Sequence, residues 1–378
     1  MQNGIYLTKT DQDLKLLHIE EGEVLDVLIE TGAPLVGTLY MGRVSAKDGP
    51  SFWVHIGLQK PALLQHPRQN YQVGQRVLVQ LKRPPLIEKY LTKNAEVSDA
   101  ISVSGDFLYY TPGKKGIHFS SQIRDKDWRS STLEALNAVA ENEEGIVLKG
   151  LSYGKNVKLI TQDLHDVRLR WQQVQQDYQA AEKIGQVIHQ GEAPWVSYVL
   201  DHKKEPIFTD NADLVVLLKQ KNVSEKRLNF SLKPSWKVLL TESLDALLEE
   251  QVPLRGGGYL IVEEGHTLTA IDVNTTASGD TQLTLGVKLT SDNARFEFAQ
   301  LALNESIRQL YLRKIGGIVV IDLPRLSNLK HQKALLKTAK SYEDSSLQVL
   351  GLTKSGLLEM TKRKDEMSLK QIFEGGER

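Results

Sequence analysis

Residues 268–274, Leu268-Thr-Ala-Ile-Asp272-Val-Asn274, and residues 317–323, Gly317-Ile-Val-Val-Ile-Asp322-Leu323, decide how this chain is read. Each is a short apolar run of the kind that fills buried strands, and each carries an aspartate at or near its end. Between them, the segment from Asp292 to Lys314 reads as one long helix, with Asp292 as N-cap, Arg313 and Lys314 at the carboxyl end and Gly316-Gly317 as the stop. Strand, long helix, strand is the crossover that two parallel neighbours need. It would bring Asp272 and Asp322 to the carboxyl edge of one sheet, where ligands of such sheets gather. Two carboxylates held together repel unless one keeps its proton or a cation joins them. A hard divalent ion such as Mg²⁺ satisfies both through oxygen and keeps open positions for phosphate. Asn274 adds a neutral amide beside the first acid. The plainer reading, an aspartate serving only as a turn or helix-cap residue, stays open on this pattern alone.

The segments Gly256-Gly257-Gly258-Tyr-Leu-Ile-Val, Leu268-Thr-Ala-Ile-Asp-Val-Asn, Ile307-Arg-Gln-Leu-Tyr-Leu-Arg-Lys-Ile-Gly-Gly-Ile-Val-Val-Ile-Asp and Gly356-Leu-Leu-Glu-Met-Thr resemble successive blocks of the ribonuclease E/G family of bacterial endoribonucleases, in matching order and spacing. Looser similarity runs through the amino-terminal half. The resemblance implies an α/β multi-subdomain fold: an RNase H-like subdomain with an inserted OB-fold barrel and a sensor region, followed by a DNase I-like α/β catalytic subdomain. The implied boundaries are 1–33 and 184–240 for the two RNase H-like parts, 34–99 for the barrel, 100–183 for the sensor region and 241–378 for the catalytic part. It also implies that Asp272 and Asp322 hold a catalytic Mg²⁺, with Mn²⁺ as an alternative, and that Asn274 supports them. Larger members continue from the Gly356 segment into a cysteine-based zinc link and a small dimerisation domain. This chain has no cysteine and stops before that point. The expectation is therefore no zinc and no zinc-linked dimer, leaving a monomer or a dimer through another surface.

The 378 residues are 40% hydrophobic and 25% charged, an ordinary globular balance for two or three subdomains. No apolar run approaches membrane-spanning length, and Met1-Gln-Asn-Gly-Ile-Tyr lacks the basic and apolar regions of a signal peptide, so a cytoplasmic location is expected. Lysine plus arginine and aspartate plus glutamate both total 47, so no global positive field advertises nucleic acid and any RNA contact must be local. Lys82-Arg83, Arg168-Leu-Arg170-Trp171 and Lys362-Arg363-Lys364 are the basic runs, each of which also suits a solvated face. Arg170 could hold a phosphate while Trp171 stacks a base. Their place on an amphipathic helix from about Gln162 to Lys183 equally allows Trp171 to pack inward.

From Val36 to Leu81, short alternating strands are punctuated by glycine and proline, which is a small-barrel pattern. It resembles the family's RNA-binding barrel, which holds single-stranded RNA over the metal centre. Tyr40, Trp53 and Lys93 are the candidate contacts, with Trp53 as barrel core the competing assignment. The family usually offers an aromatic pair here, and Leu63 stands at the second position. Family members also sense a 5′-monophosphate with an Arg-Thr pair after an apolar strand; in Gly145-Ile-Val-Leu148-Lys149, leucine has replaced the arginine. Lys149 retains a point charge without the planar fork that reads a terminal phosphate.

Other chemistry is excluded by pattern: the nine histidines show no zinc-hydrolase spacing, and no Gly-x-Ser-x-Gly, Walker or dinucleotide fingerprint occurs. Glu263, Glu264 and Asp280 are further acids near enough in sequence to join a metal site. The chain should close with Gln348-Val-Leu-Gly-Leu as strand, a turn region from Lys354 to Thr361 and a charged tail. The functional expectation is a Mg²⁺-dependent endoribonuclease hydrolysing single-stranded, AU-rich RNA, with weak or no 5′-monophosphate sensing. The alternative is a non-catalytic RNA-binding protein on the same scaffold.

Overall fold

The computed structural model describes residues 2–11, 13–87, 92–141, 144–255, 257–275 and 291–375. The chain forms two compact units. One comprises the residues up to Gly32 together with those from Pro194 onward, and the other runs from Ala33 to Ile87 and from Thr92 to Ala193. Among the described residues no helix is long and apolar enough to cross a membrane.

In the inserted unit, strands Leu39–Asp48, Ser51–His55, Ala62–Leu64, Arg76–Arg83 and Glu96–Ser98 close a five-stranded barrel in the order 1-2-3-5-4-1. The third and fifth strands pair in parallel, as in an OB-like barrel. Period-two alternation fills it: Phe52 and Val54 point in to meet Val44, Val79 and Leu81, while Ser51, Trp53 and His55 point out. A second sheet orders Val103–Ser104, Leu108–Pro112, Glu144–Leu148 and Gly116–Phe119, and packs on the helix Val157–Ala180. That helix starts earlier than its apolar pattern suggests, because the Asn156 side chain caps it by accepting from Lys158 N–H. About two turns in, the buried Asp163 accepts hydrogen bonds from the backbone N–H groups of Asp106, Phe107 and Leu108 at 2.8, 2.7 and 3.2 Å. Gly105 is required there, since a Cβ would come within 2.5 Å of that carboxylate.

In the other unit, the amino-terminal strands Gly4–Lys9, Leu14–Glu20 and Glu23–Glu30 form an antiparallel meander. Ile207–Thr209 and Leu228–Phe230 extend it in parallel beyond Gly4–Lys9. A six-stranded sheet follows, ordered Gln251–Pro253, Tyr259–Glu264, Leu268–Asn274, Gly317–Asp322, Leu358–Lys362 and Leu347–Leu352. Only the central pair is parallel, and the helix Asp292–Leu312 makes its crossover. This helix and Leu329–Ser341 cover one face, burying Ile271, Val319 and Ile321 against Ala299, Leu303, Leu310 and Leu335. The opposite face carries Leu268, Ala270 and Asp272 beside Ile318, Val320 and Asp322, half-buried or exposed.

Three local expectations change. Ser291, not Asp292, caps the crossover helix, its hydroxyl accepting from Ala294 N–H at 3.1 Å. The helix stops at Lys314 rather than at a glycine: this residue takes φ +57°, and Ile315 N–H returns to the Leu310 carbonyl at 2.9 Å. The turn expected over Lys354–Thr361 is confined to its first half, closed by Gly356 N–H on the Thr353 carbonyl at 3.0 Å, because Leu358–Lys362 inserts as a strand between Gly317–Asp322 and Leu347–Leu352, and the tail beyond contains a short helix, Leu369–Gly375. Leu303 is fully buried at the centre of the helix–sheet core. Leu303→Ala should cost about 2–5 kcal/mol in chemical denaturation without changing the denaturant slope.

Candidate active site

In the parallel central pair Leu268 stands opposite Ile318, and the register runs on through Ile271 opposite Ile321 to Asp272 opposite Asp322. Side chains alternate along each strand, so isoleucines that face the helices force both aspartates onto the open face, side by side at the carboxyl edge. Neighbouring strands lie about 4.8 Å apart, close enough for one ion to bridge two carboxylates. Asn274 sits on the same strand two residues beyond Asp272, and its amide Nδ2 donates to Asp272 Oδ2 at 2.8 Å. That bond fixes one carboxylate oxygen, and among the described residues the other has no hydrogen-bond partner.

The donor set suits a hard, partly hydrated cation. Among the described residues no group of three or more His, Asp or Glu side chains forms a closed metal cage, and this pair supplies two carboxylates on an exposed edge. Mg²⁺ binds in this manner, keeping several waters. Of the further acids, Glu263 is exposed and lies opposite Ala270, so it shares the open face. Glu264 alternates to the other side, where burial pushes its carboxyl pKa up and Ser368 Oγ donates to it at 2.6 Å. It cannot join the pair. Asp280 lies outside the described residues.

At the same sheet edge, Asp292 ties the start of the crossover helix to the segment after Asp322. Its Oδ1 accepts from Ser327 Oγ at 2.8 Å and its Oδ2 lies 2.8 Å from His331 Nδ1, bonds that lower its pKa, that of Ser327 most. The His331 ring stacks on Phe296 at 4.5 Å.

The barrel residues separate by strand parity. Tyr40 is only 7% exposed and belongs to the barrel core, where burial raises its phenol pKa, so its ring is not offered for stacking. Trp53 lies on the outer face, half-buried, directly across from Leu63 on the second and third barrel strands. Lys93 is exposed on a short separate hairpin. Sequence reading passed over Arg43 and His55, an exposed cross-strand pair on the outer face of the first two strands. The period-two pattern that turns Trp53 outward applies equally to His55 and would have found it.

The sensor-region residues converge, but on the protein itself. Leu148 is fully buried in the second core, paired with Leu108 and Phe119. Lys149 Nζ donates to Ser104 Oγ at 2.8 Å and to the Gly105 carbonyl, and lies 4.5 Å from the centre of the Tyr109 ring. Arg170 donates to the Ser104 carbonyl, while Trp171 packs against the core. Arg168 forks onto Glu144, with its Nε 3.0 Å from Oε2. Lys82 donates to Gln80 Oε1 at 2.8 Å and Arg83 to the Asn94 carbonyl at 2.9 Å. These basic runs are thus largely spent on internal acceptors.

A family model described as the ribonuclease E/G family matches residues 102–365. Ribonuclease G of Haemophilus influenzae is 24% identical over 413 residues, covering 98% of this chain and 81% of that protein. Ribonuclease G of Escherichia coli K12 is 24% identical over 415 residues, covering 99% and 82%. Ribonuclease E of the same strain is 27% identical over 317 residues, covering 78% of this chain but only 28% of that protein.

If the outer barrel face stacks bases, Trp53→Ala should weaken binding of a single-stranded RNA by about 1–3 kcal/mol. Tyr40→Phe should leave binding unchanged. Fluorescence anisotropy on both variants measures the contrast, and equal losses would remove the assignment of the outer face.

Proposed function

Because this chain belongs to the ribonuclease E/G family, we propose that it is a metal-dependent endoribonuclease acting on single-stranded RNA at Asp272 and Asp322. The observation that carries the reading is the register: two parallel strands end with their aspartates opposite one another on the solvent face. A protein with no use for that pair would gain by replacing one, since adjacent like charges destabilise the folded state.

Asp272 and Asp322 would hold a Mg²⁺ or Mn²⁺ ion. Asn274 would orient Asp272 through the 2.8 Å bond to Oδ2, so the ligand oxygen does not rotate away. When bound, such an ion supplies a Lewis acid for the scissile phosphate and lowers the pKa of a water for in-line attack. The remaining residues position the chain of nucleotides. Trp53 offers a ring for stacking, while Arg43 and His55 offer charge and hydrogen-bond donors on the same barrel surface. All are tolerant of sequence, as a processing nuclease requires.

For the 5′ end, we propose weak or absent sensing. Leu148 contributes only to the core, and Lys149 and Arg170 already donate to the Ser104–Gly105 loop. A terminal phosphate would have to displace those bonds without a guanidinium fork in return.

Asp272→Asn and Asp322→Asn should each lower cleavage of a short fluorescent RNA at least a hundredfold, about 2.7 kcal/mol of transition-state stabilisation, with the circular dichroism unchanged. Activity retained in either variant would remove the pair from the mechanism. RNA binding that persists in EDTA with no cleavage by the wild type would make the protein a binding module. On wild-type enzyme, 5′-monophosphate and 5′-hydroxyl substrates should differ by less than about tenfold, or 1.4 kcal/mol.

A further inference from the structure

The open face of the six-stranded sheet has the wrong composition for a surface that meets only water. A sheet covered on one side ordinarily places apolar residues inward and polar residues outward. Here the outward positions of three neighbouring strands include Tyr259 and Ile261, Leu268 and Ala270, and Ile318 and Val320, with Leu268 and Ile318 40% and 48% exposed. The register joins them into one block, since Leu268 stands beside Ile318 and Ala270 beside Val320. A contiguous apolar block on the surface marks a place where something binds.

The block surrounds the aspartate pair. Ile261 stands opposite Asp272 and extends the row Asp272–Asp322, and Ala270 and Val320 form the row behind it. Ahead of the pair, Tyr259 stands opposite Asn274, one row on and roughly 7 Å away at about 3.4 Å per residue. Residues directly opposed across two antiparallel strands keep their Cβ atoms about 4.5–5.5 Å apart, so Tyr259 is the immediate neighbour of the amide that holds Asp272. Tyr259 is half-buried, and among the described residues no hydrogen bond or ring contact ties it down.

Charge and continuity say what the block takes. None of the described strand residues on this face is a lysine or arginine, and Glu263 and Glu359 flank Ala270 and Val320 in their row. Phosphates are repelled from such a surface except where a metal ion sits, whereas flat uncharged nucleobases are not. A protein seated permanently on the block would also cover Asp272 and Asp322, which stand in the same rows. A single strand of RNA laid base-down would instead bring its phosphate to them.

We propose that this face is the base-binding floor of the candidate active site, and that Tyr259 stacks on the nucleobase next to the phosphate held at Asp272 and Asp322. The proposal rests on the reading of that pair as a nuclease centre. Stacking accepts any base, but only one whose face is uncovered, so Tyr259 would select for single strands without selecting sequence.

A cycle between ring and base tests it. Binding of a 5′-hydroxyl single-stranded oligoribonucleotide is measured by fluorescence anisotropy in EDTA, for the intact strand and for strands in which one abasic residue is moved along the sequence, and cleavage of the intact strand is mapped separately in Mg²⁺. Tyr259→Ala should weaken binding of the intact strand at least about fivefold, the low end of one base–aromatic stack. One abasic position, adjoining the mapped cut, should weaken the wild type equally and erase its difference from the variant. Tyr259→Phe keeps the ring and should rescue binding. If Tyr259→Ala does not fold, Tyr259→Leu removes the ring and keeps an apolar strand residue. Unchanged affinity on loss of the ring, a loss that no abasic position erases, or an erasing position remote from the cut would each overturn the proposal. So would wild-type self-association in sedimentation that Ile318→Asp abolishes with RNA affinity unchanged, because a second copy of the chain would then occupy the face. An intact cycle with no cleavage by the wild type would remove the nuclease reading and leave the ring–base contact standing.

Discussion

The register between two parallel strands is the constraint on which the rest depends. Ile271 and Ile321 stand opposite one another and must both face the helices, so Asp272 and Asp322, one residue on, must both face solvent. A slip of one residue would bury one carboxylate and expose one isoleucine. The hydrophobic burial that fixes the sheet therefore also places the two carboxylates at strand-to-strand spacing, so their juxtaposition results from a packing requirement. Asn274 and the crossover helix complete the arrangement, the first by holding Asp272, the second by making the parallel pairing accessible to a continuous chain.

The inserted unit applies the same period-two logic to a different end. Its barrel closes around Phe52 and Val54, which turns Trp53 and His55 outward. Its second sheet closes around Leu148, whose fully buried side chain belongs wholly to the core. The charges nearby are satisfied internally: Lys149 and Arg170 by the Ser104–Gly105 loop, Arg168 by Glu144, and the buried Asp163 by three consecutive backbone N–H groups. A formal net charge of zero gives the chain no global positive field, so RNA contact would have to be local.

What could be read from sequence was whatever alternation and spacing encode. The Asp272–Asp322 juxtaposition, the crossover and the barrel were legible because each follows from period two, a long helix and turn residues. What was not legible depends on neighbours remote in sequence. Tyr40 and Trp53 look alike as aromatic strand residues, and only the barrel register sends one in and the other out. Asp292 has the composition of a cap, but Ser291 takes that role and frees Asp292 to hold Ser327 and His331. The segment after Gly356 looked like a turn because its single glycine dominates a short apolar run; its strand character comes from being sandwiched between two others. Lys362 read as part of a solvated run, and only the tertiary fold buries it.

The most direct test of the central claim is the affinity of the aspartate pair for a divalent ion, followed through the paramagnetic resonance signal of free Mn²⁺. The account predicts that the wild-type chain takes up an ion that Mg²⁺ displaces and that Asp322→Asn loses this uptake while remaining folded. Undiminished, Mg²⁺-competed uptake by Asp322→Asn would contradict it, because the ion would then be held somewhere other than between the two in-register carboxylates.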